Sequence, residues 1–397
     1  MNSRVIKDIP ELVETIREQR ARTKDYVIPA GGIDPVVNYD DEDMPVEVSL
    51  RLKTNGGYTK WGVESQVHGQ LAGKTGINAH YYRKMMAEAP DLLQTNLKYW
   101  FEKLAEKGKR YLVRMLDLNV RAFLSDRYRP IDHLDLLTTA VKIITGQGAG
   151  GVDYAQGAKC FSWTLTPTNM NVCLFNPAMQ VDLNDLDKGV QFNGDWERDS
   201  HGWYKAKDTR EVSDRPSPDK PHVVFPACRI TNSETGHGGL GIQAGFAELI
   251  CSNAAWIGEK FGTRHLGKTL EVDDVLSPDT IRKQNEVIYA KTGDYVRQVF
   301  SPEKLLEFCK KTKGLQEIEV DPKEAINNIA KLDNITEDMR EDILAAYSPI
   351  GNKDTMLDVQ RAVTRAAQQY QEESPDKTFV LEELGGTLIE KPELATK

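Results

Sequence analysis

The sequence predicts an α+β fold: a largely antiparallel sheet built from hairpins, flanked by helices, with an acidic helical carboxyl-terminal region. Three observations lead there. Apolar and polar residues alternate strictly from Val46 through Val48, Leu50 and Leu52, the pattern of a strand with one buried face. Strand-like runs come in pairs separated by short turns, and short turns join antiparallel neighbours. From Pro278 onward the pattern is mostly helical, with a long helix near 278–300 and smaller ones to about residue 371.

The chain opens on a short amphipathic helix, after which Asp40, Asp41, Glu42 and Asp43, closed by Pro45, read as an exposed linker. Asn55-Gly56-Gly57 tolerates the positive φ of a tight turn, so the strand from Val46 and a second around Tyr58–Val63 make a hairpin. Residues 64–74 and 78–106 read as helices, the second broken at Pro90. Its buried face is expected to carry Tyr82, Met85, Met86, Leu92 and Leu93, then Leu97, Trp100, Phe101 and Leu104, with Gly108 ending it. Strands over Arg110–Met115 and Val120–Ser125 flank the turn Asp117-Leu118-Asn119, and residues 133–145 read as a helix. Phe161–Leu165 and Asn171–Phe175 form a third pair. The turn-rich stretch 180–220, with Trp196 and Trp203, has room for two short strands. Val223–Ile230 is strand-like and leads into a glycine-rich loop, and Ile242–Ile250 begins a last strand or a helix.

A chain of 397 residues exceeds what one core usually fills. Three units are expected: residues 1–45, a helix and acidic linker; residues 46–277, the α+β core; and residues 278–397, the helical acidic region. Residues 315–397 hold 18 Asp/Glu and 9 Lys/Arg, a net of −9 that equals the charge of the whole chain. The rest is balanced and can carry local basic surfaces. The acidic region is expected to be a solvated helical face with a frayed end, or a surface that recruits a basic partner protein.

No apolar run approaches the roughly 18 residues needed to cross a bilayer, and the amino terminus mixes charges throughout, unlike a secretory signal. Cys160, Cys173, Cys228, Cys251 and Cys309 are odd in number and widely spaced, which argues for buried free thiols rather than a disulfide framework or zinc knuckle. A cytoplasmic protein without cofactor or membrane contact is expected.

The segment Lys98–Arg129 concentrates charge: nine Lys/Arg stand against four Asp/Glu, interleaved with Tyr99, Trp100, Phe101, Tyr111, Phe123 and Tyr128. Single-stranded nucleic acid is held by this mixture, because cations neutralise phosphates and flat rings stack on bases. From Lys109 onward five of the six cations are arginines, suited to bidentate anion contacts. Strand alternation places Arg110 and Arg114 on one face, opposite Tyr111, Val113 and Met115, and puts Arg121 two residues before Phe123 on the next strand. The competing expectation is a solvated strand face over a core holding Trp100 and Phe101.

The run from Arg121-Ala122-Phe123-Leu124-Ser125-Asp126-Arg127-Tyr128-Arg129-Pro130 to Ile131-Asp132-His133 resembles the central signature of a phage and plasmid family named domain of unknown function 932. Upstream, Ile77–Tyr82, Pro90 and Asn96–Trp100 match the helix leading into that signature. Asn232-Ser233-Glu234-Thr235-Gly236 with Cys251-Ser252-Asn253 looks like the family's second block, His265-Leu266-Gly267-Lys268 its third, and Ala362-Val363-Thr364-Arg365-Ala366-Ala367 a closing helix. Coverage is roughly residues 46–370, with Ala254 where the family has glycine. The resemblance implies DNA metabolism, since members accompany phage and plasmid replication and recombination genes. Phage annealing proteins, usually oligomers, also pair a small sheet with helices around a basic groove, an analogy of architecture alone.

These readings converge on a non-enzymatic, oligomeric single-stranded DNA-binding protein of annealing type. The expected contacts are Lys109, Arg110, Arg114, Arg121, Phe123, Arg127, Tyr128 and Arg129, with Arg264 and Lys268 adding anion contacts. The glycine-rich loop 236–241 lacks the Gly-Lys-Ser/Thr ending of a nucleotide-binding loop, and a turn between strands is the favoured reading. One alternative is a metal-dependent nuclease using Asp126, Asp132 and His133; against it, Asp126 suits pairing with the neighbouring arginines, and Asp132 or Asp135 can cap the next helix. A second is a structural or host-interaction protein, in which Trp196, Trp203 and the acidic end matter more.

Overall fold

A computed structural model describes residues 9–38, 47–54, 56–128, 130–146, 158–176, 179–192, 196–198, 204–206, 223–236, 238–248, 253–263, 278–332, 334–348, 354–370 and 374–396. Among them eleven helices surround two mostly antiparallel sheets, an α+β architecture assembled from hairpins. The strands divide between two sheets rather than forming one central one.

The first sheet uses β1 (Thr23–Pro29), β2 (Ile33–Asn38), β3 (Glu47–Thr54), β4 (Gly57–Val63), β5 (Arg110–Leu116) and β6 (Asn119–Ser125), in the order β1-β5-β6-β4-β3-β2. Every pair is antiparallel except the short β4–β6 contact, Gly62 opposite Asn119 and Val63 opposite Val120. Strands β1 and β2 were not expected. Ile33, Pro35 and Val37 are buried while Asp34, Val36 and Asn38 are half-buried, a period of two that the proline in its middle conceals in the sequence. The expected boundary at residue 45 therefore falls inside a sheet, since β2 pairs directly with β3. The acidic linker itself lies outside the described residues.

Helices α1 (Ile9–Arg22), α2 (Ser65–Thr75), α3 (Ala79–Glu88), α4 (Pro90–Glu106) and α5 (His133–Thr145) follow the periodic stretches. Pro90 starts α4 rather than kinking one long helix, because proline fits the first helical turn, where its missing N–H has no partner to lose. Helices α2–α4 cover one face of the first sheet, where Leu71, Tyr82, Met85, Leu93, Leu97 and Phe101 meet Leu50, Leu52, Val113 and Phe123. Leu92 and Trp100 are exceptions: both were expected inside, and both are exposed.

The second sheet contains β7 (Lys159–Leu165), β8 (Asn169–Phe175), β9 (Met179–Asp182) and β10 (Gln191–Phe192). After the separate hairpin of β11 (Trp196–Arg198) and β12 (Tyr204–Ala206), it continues with β13 (Val223–Ser233), β14 (Leu240–Glu248) and β15 (Asn253–Thr263). Long β13 pairs along one edge with both β8 and β9. Its even-numbered side, with Cys228 and Ile230, packs on α1, α5 and α6 (Pro278–Val299). Cys160, Cys173, Cys228 and Cys309 are all buried thiols outside any disulfide.

The carboxyl-terminal helices are α7 (Pro302–Gly314), α8 (Pro322–Ile329), α9 (Glu337–Ala346), α10 (Met356–Gln369) and α11 (Pro375–Glu390). Helix α11 was not foreseen, and the end of the chain is docked rather than frayed. Trp256 on β15 donates its indole N–H to the buried Glu382 carboxylate at 2.6 Å. A Cβ at Gly386 would lie 2.0 Å from the Trp256 carbonyl oxygen, so helix and strand approach backbone to backbone. No helix among the described residues is long and apolar enough to cross a membrane.

Candidate nucleic-acid interface

Strands β5 and β6 form the expected hairpin, with Asp117 at φ 53° in its turn. Their register slips between Arg114 and Met115: Arg114 faces Ala122 and Met115 faces Val120, leaving Arg121 as the extra residue of a bulge. A bulge breaks the period of two. Phe123 consequently faces the helices, stacked 4.8 Å from Tyr111 and edge-on to Phe101, while Arg121 faces the second sheet. The expectation that Arg121 and Phe123 share a surface is corrected by this slip, and Phe123, wholly buried, is a core residue.

Arg114 and Arg121 are buried as well, at 7% and 1% exposure, because the second sheet covers the face that would otherwise be solvated. Glu234, just past β13, accepts from Arg121 Nη2 at 2.8 Å through Oε2 and from the His133 backbone N–H at 3.0 Å through Oε1. Arg114 Nη1 donates to the Glu234 carbonyl at 2.7 Å, while its Nε reaches Asp25 on β1 at 3.0 Å. Asn232 Nδ2 donates to Nδ1 of His133 and to the Ile131 carbonyl, both at 2.8 Å. The Tyr128 hydroxyl donates to the Ser233 carbonyl at 3.2 Å. At Gly236, φ +77°, a Cβ would come 2.8 Å from Leu124, so the glycine-rich loop is a turn pressed against the first sheet.

This polar seam joins the two stretches Arg121–His133 and Asn232–Gly236, which sequence alone singled out but did not bring together. Burial alone would raise the Glu234 carboxyl; His133, Arg114 and Arg121 outweigh it and hold the group at about 2. Burial in turn lowers the His133 ring from its ordinary value, against the pull of Glu234. Chemically the seam is a buried ion-pair network that holds the two sheets together.

The remaining expected contacts separate into three groups. Lys109, Arg110 and Arg127 are exposed. Tyr128 is half-buried against the turn at Gly236. Arg129, Arg264 and Lys268 lie outside the described residues, as does Trp203 of the host-interaction alternative. Asp132 caps α5, accepting from the N–H groups of Leu134 and Asp135, and His133 turns inward onto Asn232. Those bonds fix the two side chains in structural roles instead of aiming them at a common ion, and no group of three candidate metal ligands occurs among the described residues.

What sequence reasoning missed is the outer face of α4. Tyr99 and Trp100 are 52% and 40% exposed, edge to face at 5.3 Å, and Lys103 reaches over the Tyr99 ring at 6.0 Å. Lys103 also pairs with Glu106, and Lys98 with Asp34. Lys107, Lys109 and Arg110, at the turn into β5, are exposed and have no carboxylate partner among the described residues. The signal was present in the helical period: Leu93, Leu97 and Phe101 mark the inner face, and Tyr99 with Lys103 recurs four residues apart outside it.

A comparison of the chain with protein-family models, with curated proteins and with solved structures found no match.

Proposed function

We propose that this is a non-enzymatic protein that holds single-stranded DNA on the outer face of α4 and the turn into β5. The observation that carries this reading is the exposed pair Tyr99 and Trp100 beside Lys103, Lys107, Lys109 and Arg110. Rings at this exposure offer stacking surfaces worth roughly 1–3 kcal/mol per base, and the lysines are placed to neutralise phosphates. The net negative charge does not oppose it, because the excess acid is confined to residues 315–397. The resemblance of Arg121–His133 and Asn232–Gly236 to a phage and plasmid family agrees in biological setting. Its contribution is to the fold, since those residues form the seam. A role in annealing, and assembly into an oligomer, belong to the same proposal.

Anisotropy of a labelled oligothymidine titrated with the protein at several salt concentrations tests it. Binding should weaken steeply with salt and quench tryptophan emission on contact with Trp100. Absent binding, or binding indifferent to salt, removes the proposal; a protein partner recovered without nucleic acid would point to a structural role instead.

A further inference from the structure

Among the described residues four arginines are buried: Arg114, Arg121, Arg229 and Arg361. Three of them sit on carboxylates. Arg114 and Arg121 face Asp25 and Glu234, and Arg361 on α10 faces Glu248 on β14. Arg229, in the middle of β13, is 7% exposed and has no carboxylate partner among the described residues. Its Nε donates to Oδ1 of Asn171 on β8 at 3.0 Å, and its Cζ lies 3.8 Å from the centre of the Phe379 ring on α11. Its Nη1 is buried and makes no hydrogen bond.

A guanidinium cannot shed its charge at ordinary pH, and a buried charge is tolerated when it is paired. The groups set beside Arg229 do not supply the pair. Its cross-strand neighbours, Cys173 on β8 and Gln243 on β14, are uncharged. Asn171 offers its oxygen to Nε, so its amide nitrogen is left as a second donor. Phe379 covers the plane of the head and Asn171 takes Nε, while Nη1 has no hydrogen-bond partner among the described residues. A site of fixed donors with no acceptor carboxylate selects an oxyanion, and the parallel N–H groups of an arginine edge fit two of its oxygens. Asn171 and Thr231, paired across β8 and β13 next to Arg229, are only half-buried.

We propose that Arg229 and Asn171 form a phosphate-binding site on the second sheet, bounded by Phe379. It does not depend on the DNA reading of α4, which concerns the other sheet. The phosphate comes from a small phosphorylated molecule or from a nucleic-acid backbone; the chemistry recognised is the same.

Calorimetric titration of the intact protein with inorganic phosphate, against an equal concentration of acetate and at constant ionic strength, tests the proposal. Saturable binding of phosphate, weakened at least about tenfold in Arg229→Met and in the charge-retaining Arg229→Lys, is expected. Without phosphate, Arg229→Met should melt no lower than the parent, because it removes an unpaired buried charge, whereas Arg361→Met should melt lower. Should the methionine variant fail to fold, the lysine variant alone decides. No saturable phosphate heat in the parent, equal heat in the folded Arg229 variants, or acetate binding as tightly as phosphate would each overturn the assignment. Oligothymidine separates the sources: displacement of phosphate bound at Arg229 identifies a backbone phosphodiester, and failure to displace it identifies a small phosphate.

Discussion

Arg121 on the first sheet lies 2.8 Å from Glu234, just past β13 of the second and 113 residues further along the chain. One carboxyl group thereby serves two guanidinium groups, since Arg114 Nη1 lies 3.7 Å from the same carboxylate while donating to the Glu234 backbone carbonyl. Breaking a buried pair by removing one partner leaves the other charge uncompensated and costs about 3–5 kcal/mol. Glu234→Gln should lose stability on that scale in urea denaturation. The double variant Glu234→Gln, Arg121→Met should be less unstable than the two single losses added together.

Stability should fall with acid in two stages. Burial lowers the His133 ring, so as pH drops below about 6.5 the unfolded state takes up its proton before the folded state does, and stability falls. Glu234 is held at about 2, so its contribution is present above the ordinary carboxyl range and disappears as pH falls from about 4.5 toward 2. Denaturant midpoints measured from pH 7 to pH 3 check this; His133→Gln should flatten the upper stage and leave the lower one.

Charge and ring contributions on α4 should separate in binding measurements. Replacing Lys107, Lys109 and Arg110 by glutamine should lower the salt slope by about 0.7 for each phosphate that is no longer neutralised. Trp100→Ala should weaken binding by roughly 1–3 kcal/mol with little change in slope. Arg114 and Arg121 variants that remain folded should keep the parental slope.

Gly386→Ala places a methyl group where the Trp256 carbonyl already lies. Overpacking of this kind costs about 1–3 kcal/mol, and here helix α11 must lift away from β15. A lower melting temperature and red-shifted tryptophan emission are the expected readouts.

Asp132→Ala removes the side-chain cap of α5 and should cost about 1 kcal/mol by denaturation. A role in cleavage would show instead as loss of Mg²⁺-dependent DNA cutting in a protein of unchanged stability.

Much of the fold could be read from pattern. The alternation at Val48, Leu50 and Leu52, the break at Pro90 and the stop at Gly108 each reflect a local rule, and each element stands where it was expected. Strand β2 was hidden because Pro35 sits inside it, tolerable only on the sheet edge it occupies. Helix α11 was hidden because Gly385-Gly386 looks like a breaker, and only the backbone of β15 explains it. The site was less accessible still. Nothing local announces that a bulge at Arg121 turns Phe123 inward, or that a second sheet will cover Arg114. Helical period could place Tyr99 outside, but not show that Trp100 would follow.

The distance in sequence between Arg121 and Glu234 also governs how the protein emerges from the ribosome. All six strands of the first sheet, with the Asp25 that pairs Arg114, have been synthesised by Ser125, yet the carboxylate that neutralises Arg121 arrives more than a hundred residues later. Nascent chains of intermediate length must carry that side wet and cationic, so translation stalled in this interval should yield species that aggregate or recruit chaperones until the glutamate is made.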